Sequence, residues 1–194
     1  MVAIMGERGS EEVLLRRRMV IIDSKIAGSA QPYNYVANKE ISAAEKHLTR
    51  CASVSEQLAF KSLTQRSAEL AQINFVPKAA VVLLSSTRPL PDLRIILASH
   101  PLIHTAEGEF FRQAFRGAFE KLRIPVTGIR SRDLNDCASK AFGKVAPAIR
   151  KRIDGMGRTI GAPWTTNEKA AALAAAVVLN RAESKGHATH GTGA

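Results

Sequence analysis

The segment His100-Pro-Leu-Ile-His104-Thr-Ala-Glu107-Gly-Glu109-Phe-Phe111-Arg112 concentrates two imidazoles and two carboxylates in a short stretch. These side chains exchange protons and ligate divalent cations. His100, His104 and Glu107 follow at spacings of four and three, which would place them on one face of a continuous helix. Pro101 lacks an N–H and clashes with a preceding helical turn, so the sequence reads as a helix beginning only at Thr105. A loop could still present the groups to a metal, and the candidate ligands are Asp23, His100, His104 and Glu107. The spacing is not the His-Glu-x-x-His of a zinc protease. The plainer reading makes Glu107 and Glu109 first-turn carboxylates favoured by the helix dipole. Gly108 is costly in a first turn and points to a backbone closely approached by another strand, helix or ligand.

The elements that would position these groups follow from apolar spacing. Val13–Asp23 reads as a strand, but a solvated run of arginines, Arg16-Arg17-Arg18, is odd inside one, so the secure part is Met19–Asp23, which ends on a carboxylate. Residues 39–73 read as one long helix, with Ile41, Ala44, Leu48, Cys51, Leu58, Leu63, Leu70 and Ile73 in helical register and no proline or glycine. Ala79–Leu84 is a continuous apolar run, which suits a strand buried on both faces in a parallel sheet. Leu93–Ser99 fits either a strand or a short helix started by Pro91-Asp92. Thr105–Leu122 is a helix with Phe111, Ala114, Phe115, Ala118, Phe119 and Leu122 along one stripe. A strand at Ile124–Ile129 and a helix at Asp133–Ile153, bent at Pro147, come next. Gly155–Trp164 reads as a loop, with Trp164 as a packing anchor. An alanine-rich helix then opens on a Thr165/Glu168 capping box.

This order predicts an α/β fold, a single domain with a small mixed sheet covered by helices. Residues 1–18 read as a flexible extension, 19–182 as the domain, and 183–194 as a disordered tail holding His187 and His190. No apolar run is long enough to span a bilayer, so no membrane partner is expected. Two cysteines, Cys51 and Cys137, do not make a disulfide framework, and the expected compartment is the cytoplasm. The chain has no phosphate-binding Gly-x-x-x-x-Gly-Lys-Ser/Thr loop and no Gly-x-Ser-x-Gly elbow, which excludes P-loop chemistry and argues against an ordinary α/β hydrolase. The net charge of +11, from 28 basic and 17 acidic residues, favours an anionic partner, nucleic acid first. The excess is densest between Arg112 and Arg158.

One larger pattern combines these pieces. Asp23 follows the first strand, Glu107 and Glu109 precede Phe110-Phe111, a Leu-Arg-Ile-Pro-Val strand follows, and the last helix opens Asn167-Glu168-Lys-Ala-Ala-Ala. This order resembles the ribonuclease H-like superfamily, in its Holliday-junction resolvase branch. The resemblance implies a carboxylate site for Mg²⁺ that hydrolyses phosphodiesters, with Asp23, Glu107, Glu109 and Glu168 as the catalytic residues. Asn167 departs from the pattern, standing where an acid is expected, so a degenerate, non-catalytic relative fits as well. Two other functions stay open. One is a binding or assembly protein that forms a homo-oligomer through the long helix. The other is a small-molecule enzyme using His100, His104 and Glu107.

Overall fold

The computed structural model describes residues 1–7, 9–85 and 88–188, with side chains through Arg181. It is a mixed α/β protein in which helices dominate. The strands are β1 (Val2–Met5), β2 (Glu12–Arg16), β3 (Ala80–Leu84) and β4 (Val126–Arg130). The helices are α1 (Pro32–Val36), α2 (Ile41–Gln72), α3 (Leu93–Leu97), α4 (His100–Lys121), α5 (Leu134–Phe142), α6 (Ala146–Gly155), α7 (Gly157–Ile160) and α8 (Thr166–Ala188). In place of one mixed sheet, the strands form two separate pairs, β1 with β2 and β3 with β4. The chain divides into two compact units. The first comprises Met1–Arg18, Glu69–Leu83 and residues from Ile124 onward; the second comprises Met19–Ala68 and Leu84–Arg123.

The first unit is built on α8. Its Ala172, Ala174, Ala176 and Val177 are almost wholly buried, together with Phe142 of α5 and Ile149 of α6. Small side chains let the neighbouring backbones come close, and the larger Phe142 and Ile149 fill the remaining space. Val2 and Ile4 of β1, with Val81 and Leu83 of β3, pack onto the same core. Residues 1–18 are therefore not a loose extension. They form an antiparallel hairpin pairing Val2 with Arg16 and Met5 with Glu12, with a register shift between Ala3 and Ile4 that leaves Leu14 outside the ladder.

The strand expected at Met19–Asp23 lies earlier in the chain, at Glu12–Arg16, and 19–23 joins no ladder. An arginine can end β2 because its guanidinium has fixed partners. Arg16 Nη1 donates to the carbonyls of Gly161 (2.8 Å) and Pro163, and Nη2 donates to Ala162 (3.0 Å). Trp164 then anchors this loop by donating Nε1–H to the Ile153 carbonyl at 2.8 Å. The expected single helix over 133–153 is two helices. Gly143 adopts φ +59°, a 3-10 turn covers Gly143–Val145, and Pro147 falls in the first turn of α6, where its missing N–H costs nothing. The 155–164 loop contains the short α7. The tail expected from 183 is helical through Ala188, and residues 189–194 lie outside the described residues.

The second unit packs α1, α3 and α4 on one another and includes most of α2. The long helix falls where its spacing predicts. Its buried seam runs Ala44, Leu48, Cys51, Ser55, Ala59 and Leu63, so Ala59 replaces the expected Leu58. Val36, Ala44 and Leu48 form one apolar cluster with Leu93 and Leu97, and Ile96, Ile103 and Ala106 form another. Leu93–Leu97 is the short helix of the two alternatives. No helix among the described residues is long and apolar enough to cross a membrane.

Candidate functional site

Helix α4 begins at His100, and Pro101 lies in its first turn. That position needs no N–H donor, so the proline starts the helix instead of preventing it. His100 and His104 are consequently one turn apart on an exposed face, with their Nε2 atoms 2.9 Å apart. Their rings meet edge-on at 80°, with centroids 4.3 Å apart.

Glu107 turns elsewhere. Its Oε1 accepts the backbone N–H of Asn34 at 2.9 Å, and the carboxylate also interacts with the backbone N–H of Tyr33. Tyr33 and Asn34 belong to the first turn of α1, whose own Gln31 provides no side-chain cap. Glu107 therefore caps α1 across the tertiary fold, where the positive end of the helix dipole favours a carboxylate. Its Oε2 is buried without a hydrogen-bond partner. Burial raises the carboxyl above its ordinary value, and the two backbone N–H groups oppose that rise.

The other sequence candidates also have structural duties. Asp23 Oδ1 accepts the Lys25 N–H at 2.9 Å, and its carbonyl accepts the Ser29 hydroxyl at 2.7 Å, so it organises the turn into α1. Glu168 belongs to the first unit. It accepts the Thr165 N–H at 2.9 Å and the Thr165 hydroxyl, which forms the expected capping box of α8. Those two bonds hold Glu168 below the usual carboxylate range. Glu109 accepts Gln113 Nε2–H at 2.8 Å. Asp23 and Glu107 make their bonds to different segments, and no group of three His, Cys, Asp or Glu among the described residues is placed to hold a metal ion. The nearest neighbour of Gly108 is Arg112 of its own helix, whose Nη1 would lie 2.7 Å from an added Cβ.

Glu109 does line a concave site, a cleft of about 780 Å³ within the second unit. Tyr33, Glu56, Arg88, Phe110 and Arg116 share its walls, while His100, His104 and Glu107 do not. Glu56 pairs with Lys121 at 2.6 Å, and Tyr33 meets Phe110 edge-to-face at 6.1 Å. Arg116 Nε is buried with no hydrogen-bond partner. The sequence signal for this cleft was Arg116 on the helix that carries Phe110, but an amphipathic helix carries such cations on its solvated face by default. Cys51 is no nucleophile candidate: its Sγ is 3.4 Å from His47 Nε2, yet the residue is buried and burial pushes its thiol up.

A different arrangement marks the first unit. Arg130 pairs with Asp133, Arg152 donates to the carbonyls of Gly9 and Glu11, and Arg150 Nη2 donates to the Asn135 carbonyl at 2.7 Å. These arginines hold the fold. Lys140 at the end of α5, Lys144 in the following 3-10 turn and Lys151 on α6 are exposed and have no carboxylate partner among the described residues. Comparison of the chain with protein-family models, curated proteins and solved structures finds no match.

Proposed function

We propose that this chain binds nucleic acid without cleaving it, through the basic surface of α5, the turn after it and α6. The observation that carries the reading is the set Lys140, Lys144 and Lys151: exposed cations on consecutive segments that form no ion pair with a carboxylate among the described residues. The neighbouring Arg130, Arg150 and Arg152 are engaged by the fold, whereas these lysines are available to phosphate. Phosphate contacts of this kind supply affinity through counterion release and carry little sequence information. Within the ribonuclease H-like resemblance, the reading is of the degenerate, non-catalytic relative. Glu107 and Glu168 are helix caps and Asp23 holds a turn, so each of the three carboxylates has a structural role that accounts for its place in the sequence.

Fluorescence anisotropy with a short labelled DNA duplex, and with its RNA counterpart, tests the proposal. The wild-type chain is expected to bind at low salt, and the triple variant Lys140→Ala/Lys144→Ala/Lys151→Ala to bind at least about tenfold more weakly. Equal binding by the variant would remove the basis for the reading. Cleavage that requires Mg²⁺ and disappears in Asp23→Asn would restore the hydrolase. A second reading, assembly through α2, is favoured by Phe60 and Ile73, which are 36% and 51% exposed on or just beyond that helix. Sedimentation analysis of Phe60→Ser against the wild type tests it by whether an oligomer is lost.

A further inference from the structure

We infer that His100 and His104 form a two-imidazole site for a divalent transition-metal ion of tetragonal preference, Cu(II) above Ni(II) and Zn(II). Three features of the first turns of α4 carry the inference. The residues are four apart on one helix, so the backbone holds them one turn apart on the same face. Both rings are exposed, so an ion can reach them and complete its shell with water. Their Nε2 atoms face each other at 2.9 Å.

That separation matches adjacent ligands on one ion. Imidazole nitrogens lie ~2.0–2.1 Å from a bound ion. Two such nitrogens 2.9 Å apart subtend about 90° at the ion, the angle between adjacent ligands in square-planar or tetragonal geometry. A tetrahedral Zn(II) site would separate them by about 3.3 Å at the same bond length. The Irving–Williams order also places Cu(II) above Ni(II) and Zn(II) for nitrogen ligands. Mg²⁺ prefers oxygen ligands and is not selected by this pair.

Without metal, the same contact is an Nε2–H···Nε2 hydrogen bond. Binding exchanges it for two Nε2–metal bonds, and the donor ring converts, by proton exchange with solvent, to its Nδ1–H tautomer, whose N–H donates to water. No proton is lost and no electron moves. The dipole at the start of α4 opposes a cation, but the exposed setting screens that term. The site is distinct from the nucleic-acid reading, and its test contains no nucleic acid.

The test is a Cu(II) titration at about pH 7.5, above the ordinary imidazole value, followed by the visible absorption of nitrogen-ligated Cu(II) and by calorimetry. One ion per chain should bind with nitrogen ligation, more tightly than Ni(II) or Zn(II). His100→Ala and His104→Ala should each weaken it by about tenfold or more, at least what losing an outer-shell partner costs. The double variant His187→Ala/His190→Ala removes the other clustered histidines and should leave that ion in place. Both single variants alter exposed side chains, and circular dichroism checks that they fold. Wild-type affinity in His100→Ala and His104→Ala would overturn the proposal. So would loss of the ion in the His187→Ala/His190→Ala chain, or absence of nitrogen-ligated Cu(II) in the wild type.

Discussion

The Glu107 carboxylate accepts the backbone N–H of Asn34 at 2.9 Å, although 73 positions separate the two residues. This bond ties α4 to the first turn of α1 and supplies the cap that Gln31 does not. Glu107→Ala should destabilise the chain by about 1 kcal/mol, the usual cost of a lost cap. Glu107→Gln retains an acceptor oxygen and should cost less. Chemical denaturation of the two variants against wild type checks the order.

The same residue gives a pH signature. Burial raises the folded-state value of Glu107 above the unfolded one, so its favourable contribution is complete below the unfolded value, ~4.3, and is lost as pH rises through the folded value. The stability of Glu107→Gln relative to wild type should therefore increase with pH across that window. A difference that stays flat would show that Glu107 is not buried against α1.

Glu168 should behave with the opposite sign. Its value is lowered by the Thr165 hydroxyl and N–H, so its contribution is present above the unfolded carboxylate value and is lost as pH falls through the folded value. Glu168→Ala should reduce protection of the first-turn amides of α8 at neutral pH and have little effect in acid. Amide hydrogen exchange reads this directly.

Arg16 holds three consecutive carbonyls, those of Gly161, Ala162 and Pro163. A guanidinium fork reaches several acceptors at once, whereas an ammonium is a single point charge. Arg16→Lys should thus lose about 1–2 kcal/mol despite keeping the charge, nearly as much as Arg16→Ala. Denaturant midpoints of the two variants should fall close together.

Gly157 packs against the tryptophan that anchors this loop. A Cβ at that position would lie 2.7 Å from Trp164 Cβ and 2.9 Å from its ring. Gly157→Ala should cost about 1–3 kcal/mol through overpacking and red-shift Trp164 fluorescence as the indole loosens. Gly143 is a useful contrast for space, because an added Cβ meets nothing within 4 Å, although its positive φ still disfavours alanine.

Local signals in the sequence located the long helix, the β3 and β4 strands and the α8 capping box. In each case one segment contains the whole pattern: apolar spacing for α2, a continuous run for β3, Thr165 followed by Glu168 for the cap. Properties that depend on distant partners were not legible. The arginine run after Leu15 argued against a strand until the 161–163 carbonyls that receive Arg16 were known. Pro101 looked like a helix breaker because its place relative to the helix start depended on Ser99 and the packing of α3. Glu107 resembled a ligand for the same reason: its partner lies on α1, beyond any local window.

The most direct test of nucleic-acid binding is the salt dependence of affinity for a labelled duplex. Each phosphate neutralised contributes about −0.9 to the slope of log K against log salt. The wild type should show a clearly negative slope, and the Lys140→Ala/Lys144→Ala/Lys151→Ala variant a slope shallower by up to about 3. No binding at about 50 mM salt, or an identical slope in the variant, would contradict the assignment of these lysines to a phosphate backbone.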